Sequence, residues 1–280
     1  MTDENKAAAG AASRPFLVIR EELPNWQAWT LGVIPILLLF LAWVFMTTGE
    51  AEQRVISPTI LPSPFEVLQS FPSLWFERAL TRNVMVSLGR VLMGFAVGVA
   101  LAFPLGLLMG SFSKIGAMFN PLAVFGAYLP IPALVPLTLS LLGTGELQKV
   151  GFLALAFLVY LLPLIVGAVE KVDDVYLKTA FTLGASRWQI VSKVLLGISW
   201  ADIYQSLRLG FGVGWSYILL VEMIDIEKGL GGIIITSQRR GPREHIYLVL
   251  IVIVGLAFLT DKLWAAAGRA LFPYRQEGRR

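Results

Sequence analysis

The sequence predicts an all-α integral membrane protein with six transmembrane helices, and three observations lead there. Of the 280 residues, 56% are hydrophobic and 15% are charged, against roughly 25% charged in a soluble domain. The charges are confined to islands, so that Leu23–Gly49, Val91–Ser113, Ile115–Gly145 and Val150–Val169 hold no Asp, Glu, Lys or Arg. Each of these runs reaches the roughly 18 to 20 residues that span a bilayer. Mean hydropathy is correspondingly high, at +0.71.

The same composition excludes several chemistries. A water-soluble enzyme does not fit. There is no cysteine, which removes disulfides, thiolate nucleophiles and Cys-ligated metal. The single histidine, His245, leaves little room for a metal site or a Ser/His/Asp triad, and no Gly-rich phosphate loop of the G-x-x-x-x-G-K-[S/T] type occurs. No bound cofactor is expected on this chain. The net charge of +4 reads as orientation across the membrane rather than as nucleic-acid binding.

The elements follow in order. Residues 1–25 read as a cytoplasmic tail, since they lack a short apolar core with a cleavage site. A six-helix transmembrane domain then occupies 26–268. Its first span, Trp26 to Thr47, has Trp26, Trp29 and Trp43 as interfacial anchors. Glu50–Arg82, with Pro58, Pro62, Pro64 and Pro72, reads as an excursion carrying a short helix. The second span, Asn83–Gly110, contains Gly94-x-x-x-Gly98 and Gly106-x-x-x-Gly110, the spacing that lets helix backbones approach closely in lipid. The third, Phe119–Leu142, holds Pro121, Pro130, Pro132 and Pro136, which argue against a straight helix. It is either pathway-lining or a kinked structural helix. Leu147–Val169 is the fourth span, Ile203–Ile224 the fifth and Ile246–Gly268 the sixth, the last two joined by the Gly-rich Asp225–Glu244. Residues 269–280 form a second tail.

With both termini inside, the inner segments carry twelve Lys or Arg (Lys6, Arg14, Arg20, Lys114, Lys171, Lys178, Arg187, Lys193, Arg269, Arg275, Arg279, Arg280) and the outer ones eight. The positive-inside rule therefore favours N-in and C-in. The loop 170–202 is the largest inner hydrophilic island. Apolar positions Val175, Leu177, Ala180, Phe181 and Leu183 make one helical face, Gly184 breaks it, and Ile190, Val191, Val194 and Leu195 make a second. Two readings are open for this knob, a docking element for a soluble partner and an unpartnered surface loop.

Here the pattern resembles the cytoplasmic loop of permease subunits of binding-protein-dependent ABC importers, in which E-A-A, three residues and a glycine precede a hydrophobic-x-L-P element. Further landmarks are similar to the nitrate, sulfonate, taurine and bicarbonate type. They are Leu61-Pro-Ser-Pro-Phe-Glu-Val67, Ser87-Leu-Gly-Arg-Val-Leu-Met-Gly-Phe95, Pro130-Ile-Pro-Ala-Leu-Val-Pro136, Gly143-Thr-Gly-Glu146, Leu207-Arg-Leu-Gly-Phe-Gly-Val-Gly-Trp215 with Val221-Glu222, and Gly229-Leu-Gly-Gly232. The resemblance covers Pro62 to Leu263. Two positions depart from it: Lys178 stands where glutamate is usual, and Leu196-Gly197 replaces Leu-Pro, implying a more flexible exit from the knob.

The resemblance implies a type I ABC importer permease fold in a bacterial inner membrane. It also implies alternating access driven by two ABC ATPase subunits that hold ATP and Mg, a second permease copy forming a homodimer, and an extracytoplasmic solute-binding protein. The ATPase-coupling residues would be Ala180, Phe181, Gly184, Ala185, Ser186 and Trp188, with Lys178 as a specificity contact. Pro130, Pro132 and Pro136 are the pathway-lining candidates. The other class to weigh is an ATP-independent secondary transporter or channel, which would not need the knob.

Charges inside spans are costly and mark function by default. Arg90 and Glu222 fall at comparable depth. They form either an ion pair or, with Arg90 facing solute, an anion contact. Asp261 and Lys262 are expected to snorkel or to pair locally.

Overall fold

In the computed structural model the described residues are 23–50, 52–224 and 228–275, helical throughout their regular elements. Nearly all of the tail read over 1–25, and the end of that over 269–280, lie outside them. The chain divides into two compact units, residues 1–64 and 65–280.

The first unit is built on α1 (Asn25–Thr47), whose 23 residues extend about 35 Å at 1.5 Å per residue. Beyond it the chain folds back on the helix end: Trp43 Nε1 donates to the Pro62 carbonyl at 2.9 Å, and Ile56 N to the Met46 carbonyl at 3.3 Å.

The second unit opens with two short helices, α2 (Pro64–Gln69) and α3 (Phe71–Phe76), and then α4 (Leu80–Ser111). The remaining long elements are α5 (Ser113–Tyr128), α6 (Leu134–Leu142), α7 (Glu146–Glu170), α10 (Leu196–Glu222) and α12 (Glu244–Leu271). Between them lie α8 (Asp174–Thr182), α9 (Arg187–Gln189) and α11 (Leu230–Arg240).

The small residues of α4 dictate the packing. A Cβ at Gly94 would meet Leu153 at 2.5 Å, at Gly98 Phe157 at 2.6 Å, at Gly106 Ile165 at 2.8 Å and at Gly110 Val169 at 2.8 Å. The residue numbers rise together, so α4 and α7 run parallel, backbone against side chain along their length, as small-residue stripes allow in lipid. Two parallel helices require an intervening segment that returns across the bundle, and only α5 with α6 is available. On the other flank, Gly214 packs on Phe157 and Gly210 on Leu161, an order that makes α10 antiparallel to α7. Arg208 with Asp261 and Tyr204 with Trp264 make α12 antiparallel to α10. The rings of Phe95, Phe157, Phe211 and Trp264, edge-on or tilted at 5.2–5.9 Å, join all four helices.

Of the two forms open for the third span, a broken backbone and a kinked helix, the structure has the broken one. It is two helices bent by 91° at a break between Tyr128 and Ile131. Pro130 and Pro132 have no N–H, so Pro132 leaves the Tyr128 carbonyl without its i+4 donor. Leu129, before a proline, takes an extended ψ of 124°, as steric conflict with the following ring demands. Pro136 falls in the first turn of α6 and Pro121 inside α5, and both are absorbed by the helices.

By length and apolarity alone, α1, α4, α7 and α12 qualify as spans, and the bent pair adds one more. The remaining pass, α10, is diluted by Asp202, Gln205 and Arg208 and is identified by its antiparallel packing. It also starts earlier than the fifth span read from sequence. Helix runs without a gap from Arg187 through a π-helical segment, Ile190–Leu195, into α10. The flexible exit expected at Gly197 is therefore continuous helix, because glycine, unlike proline, keeps its N–H.

The Gly-rich connection 225–244 is not a plain loop. It contains α11, whose Leu230, Ile233, Ile234 and Ser237 are buried at the i, i+3, i+4, i+7 spacing of one helical face.

Candidate functional site

Two clusters occupy opposite ends of the second unit. The first is the knob. Asp173 caps α8 by accepting from Val175 N at 2.9 Å. Gly184, at φ 80°, ends it: Ala185 N donates to the Ala180 carbonyl and Gly184 N to the Phe181 carbonyl, both at 3.0 Å. These two bonds make a Schellman motif, in which the left-handed residue satisfies carbonyls that the helix end leaves open. Ser186 and Gln189 then form a reciprocal capping box on α9. The turn between the helices is thus hydrogen-bonded from both sides. Its apolar groups nevertheless face outward: Phe181 is 55% exposed, Trp188 67% and Leu183 82%. Lys178 and Ser186 are exposed, and Ala180 and Ala185 half-buried. Trp188 also meets Phe112, in the α4–α5 turn, edge-on at 5.8 Å, which links the knob to the bundle.

The second cluster surrounds Arg90. The structure brings Arg90 and Glu222 together: Nη1 donates to Glu222 Oε1 at 2.8 Å, with side-chain exposures of 1% and 0%. Arg90 Nη1 also donates to the Lys228 carbonyl at 2.8 Å. Glu222 accepts from Ser87 Oγ at 2.8 Å and from Gly231 N at 3.0 Å. Ser87 Oγ accepts in turn from Leu230 N at 3.0 Å, and Asn83 Oδ1 from Gly229 N at 2.7 Å. The cluster thereby fastens the start of α11 to α4 and α10. Gly229 is required there twice, by its φ of 112° and because a Cβ would strike the Glu222 carboxylate.

Sequence reasoning missed the third charge. Glu146, the first residue of α7, receives Arg90 Nε at 2.8 Å and Nη2 in a two-point contact, yet its side chain is 62% exposed. The signal was present, since Glu146 is the acidic residue that opens an apolar run inside the Gly143–Glu146 motif. Asp261 was expected to snorkel or to pair locally. Instead it accepts both Arg208 Nε at 2.6 Å and Nη2 at 2.7 Å from α10, while Lys262 Nζ lies 5.0 Å over the Phe258 ring.

The break between α5 and α6 opens a cavity of about 460 Å³ lined by Pro130, Pro132, Pro163, Tyr160 and Tyr217 among others. Pro136 is not part of its lining. No group of three or more His, Cys, Asp or Glu residues poised for a metal occurs among the described residues.

The geometry is that of a bundle with a broken span, a rigid protruding knob at one end and a buried ionic clamp at the other. Residues 102–265 match the family described as binding-protein-dependent transport system inner membrane component. The chain belongs to that family. It is 31% identical over 84% of its length to a probable ABC transporter permease protein of Brucella abortus, covering 91% of that protein. It is 28% identical to the taurine transport system permease protein of Escherichia coli, over 89% of this chain and 90% of that one. The fold is similar to that of the methionine ABC transporter in an inward-facing conformation, with a TM-score of 0.63 at 19% identity over 72% of this chain and 98% of that one. The protein is accordingly a multi-pass inner-membrane permease subunit of an ABC importer, a transport component rather than an enzyme, working with ATPase and binding-protein partners.

Proposed function

We propose that two copies of this chain form the translocation pathway of an ATP-driven importer for a small anion such as nitrate, a sulfonate, taurine or bicarbonate. An extracytoplasmic binding protein delivers the solute, and two ATPase subunits drive the cycle. The taurine permease of Escherichia coli among the relatives supports the solute class. Both termini are cytoplasmic in this reading, the bundle spans 26–268, and the knob within loop 170–202 faces the cytoplasm. No cofactor binds this chain, ATP and Mg being held by the ATPase subunits.

The observation that carries the proposal is the knob. Exposed Phe181, Leu183 and Trp188 sit on a turn locked by a Schellman motif and a capping box, so the apolar groups are presented rigidly. Rigid presentation suits an element that receives motion from a partner and passes it on. Ala180, Gly184, Ala185 and Ser186 hold the turn's shape, while Phe181 and Trp188 make contact and Lys178 selects the partner by charge. The continuous helix from Arg187 to Glu222 then carries displacement to the opposite end of the bundle.

Pro130 and Pro132 line the pathway in this proposal, and Pro136 belongs with the neighbouring half-helix. A backbone break at membrane depth is tolerated only where protein or water covers it, which supports a second copy, rather than lipid, across the cavity. Transport in proteoliposomes containing the permease, its ATPase and binding protein tests the reading. Uptake should require ATP and be lost with Phe181→Asp, whereas uptake that persisted without ATP would indicate a secondary transporter or channel.

A further inference from the structure

Arg90 has two faces with different partners. One is fixed, with Nη1 held by the fully buried Glu222 and by the Lys228 carbonyl. The other, the planar Nε/Nη2 fork, donates to the carboxylate of Glu146. Glu222 already matches the guanidinium charge one for one, so Glu146 is a second carboxylate on a single cation. Glu146 is also 62% exposed and follows Gly143 and Gly145, whose φ values of 73° and 118° are open to few other residues. Neither glycine has an atom within 4 Å of where a Cβ would lie. The segment carrying Glu146 is therefore not wedged in place on that side. Lys149 and Lys228 both stand within electrostatic range of Glu146.

We propose that the Nε/Nη2 fork of Arg90 is a transient oxyanion site, covered at rest by Glu146 and exposed when the Gly143–Gly145 hinge swings that carboxylate away. A guanidinium fork recognises sulfonate, carboxylate or nitrate by two parallel N–H···O bonds, and Glu146 occupies the fork with the same two-oxygen geometry. Glu222 and the Lys228 carbonyl keep the guanidinium oriented while its ligand changes. That the incoming oxyanion is the transported solute rests on the anion-importer reading above.

The test uses the permease with its ATPase in nanodiscs and follows phenylglyoxal modification of Arg90 by peptide mass spectrometry, with Arg239, exposed and remote from the knob, as internal reference. Glu146→Ala should raise the modification rate at Arg90 about tenfold or more. Glu146→Gln, which keeps the shape and loosens the charge-assisted contact, should fall between. In Glu146→Ala, methanesulfonate should slow the modification, whereas its uncharged isostere dimethyl sulfone should not. An unchanged rate in Glu146→Ala, or equal protection by both compounds, overturns the site. Uptake of a sulfonate measured in parallel separates the two readings. Protection without sulfonate uptake removes the solute assignment, and uptake without protection removes the site.

Discussion

Arg90 and Glu222 meet at 2.8 Å although 132 positions separate them in the chain, and both side chains are withdrawn from solvent. Such a contact couples the N-terminal third of α4 to the last residue of α10 at the same end where α7 begins. A pair of this kind costs desolvation on both sides and is repaid only through its hydrogen bonds, which here also come from Ser87 and Gly231.

Removing one partner should therefore hurt more than removing both. Arg90→Ala is expected to lower unfolding stability by about 3–5 kcal/mol, since it strands a buried carboxylate. The double variant Arg90→Ala/Glu222→Ala should recover at least about 1 kcal/mol of that loss. Thermal unfolding in detergent, with Glu222→Ala measured alongside, completes the cycle, and a double loss equal to the sum of the two single losses would mean that the pair is not coupled.

Gly229→Ala should cost about 2 kcal/mol or more, from a left-handed φ and collision with the Glu222 carboxylate. In a Glu222→Ala background the collision disappears and only the backbone strain remains. A smaller loss there identifies the carboxylate as the obstacle.

Gly98→Ala should lower stability by about 1–3 kcal/mol, because its Cβ lies 2.6 Å from that of Phe157 on the parallel helix and neither backbone can retreat freely. Gly89→Ala, next to Arg90 in the chain but with open space around its Cβ, should be neutral or stabilising by up to about 1 kcal/mol. Comparable losses in the two would count against the small-residue seam.

Leu183→Ala should leave the melting temperature unchanged, as the side chain is 82% exposed, yet weaken co-purification of the ATPase subunit about tenfold if it docks there as a buried anchor. Gly184→Ala should weaken both, since the Schellman turn needs φ near 80°. Retained ATPase with Leu183→Ala would place the docking surface elsewhere.

Membrane class and the helix–glycine–helix knob were legible because each depends on local pattern: runs of apolar residues, and a glycine ending one helical face. The same locality explains the misreadings. The proline cluster at 130–136 announced a break but not its 91° angle, which depends on how α6 packs. Helix α11 hid behind Gly231 and Gly232, whose low propensity is outweighed by burial of Leu230, Ile233 and Ile234. Asp261 finds Arg208 on another helix, a partner that no spacing within α12 reveals.

By itself the sequence determined that this chain lives in a bilayer, where its backbone must be satisfied by helices and where its few charged residues must cluster or emerge. The tertiary structure alone decided which helices run parallel, since glycine spacing says that a close approach occurs but not with which neighbour. It also decided that Arg90 answers to Glu146 as well as Glu222. Ionic partners are selected by proximity in three dimensions, and the proximity of α4, α7 and α10 arises from side-chain shape along their whole length.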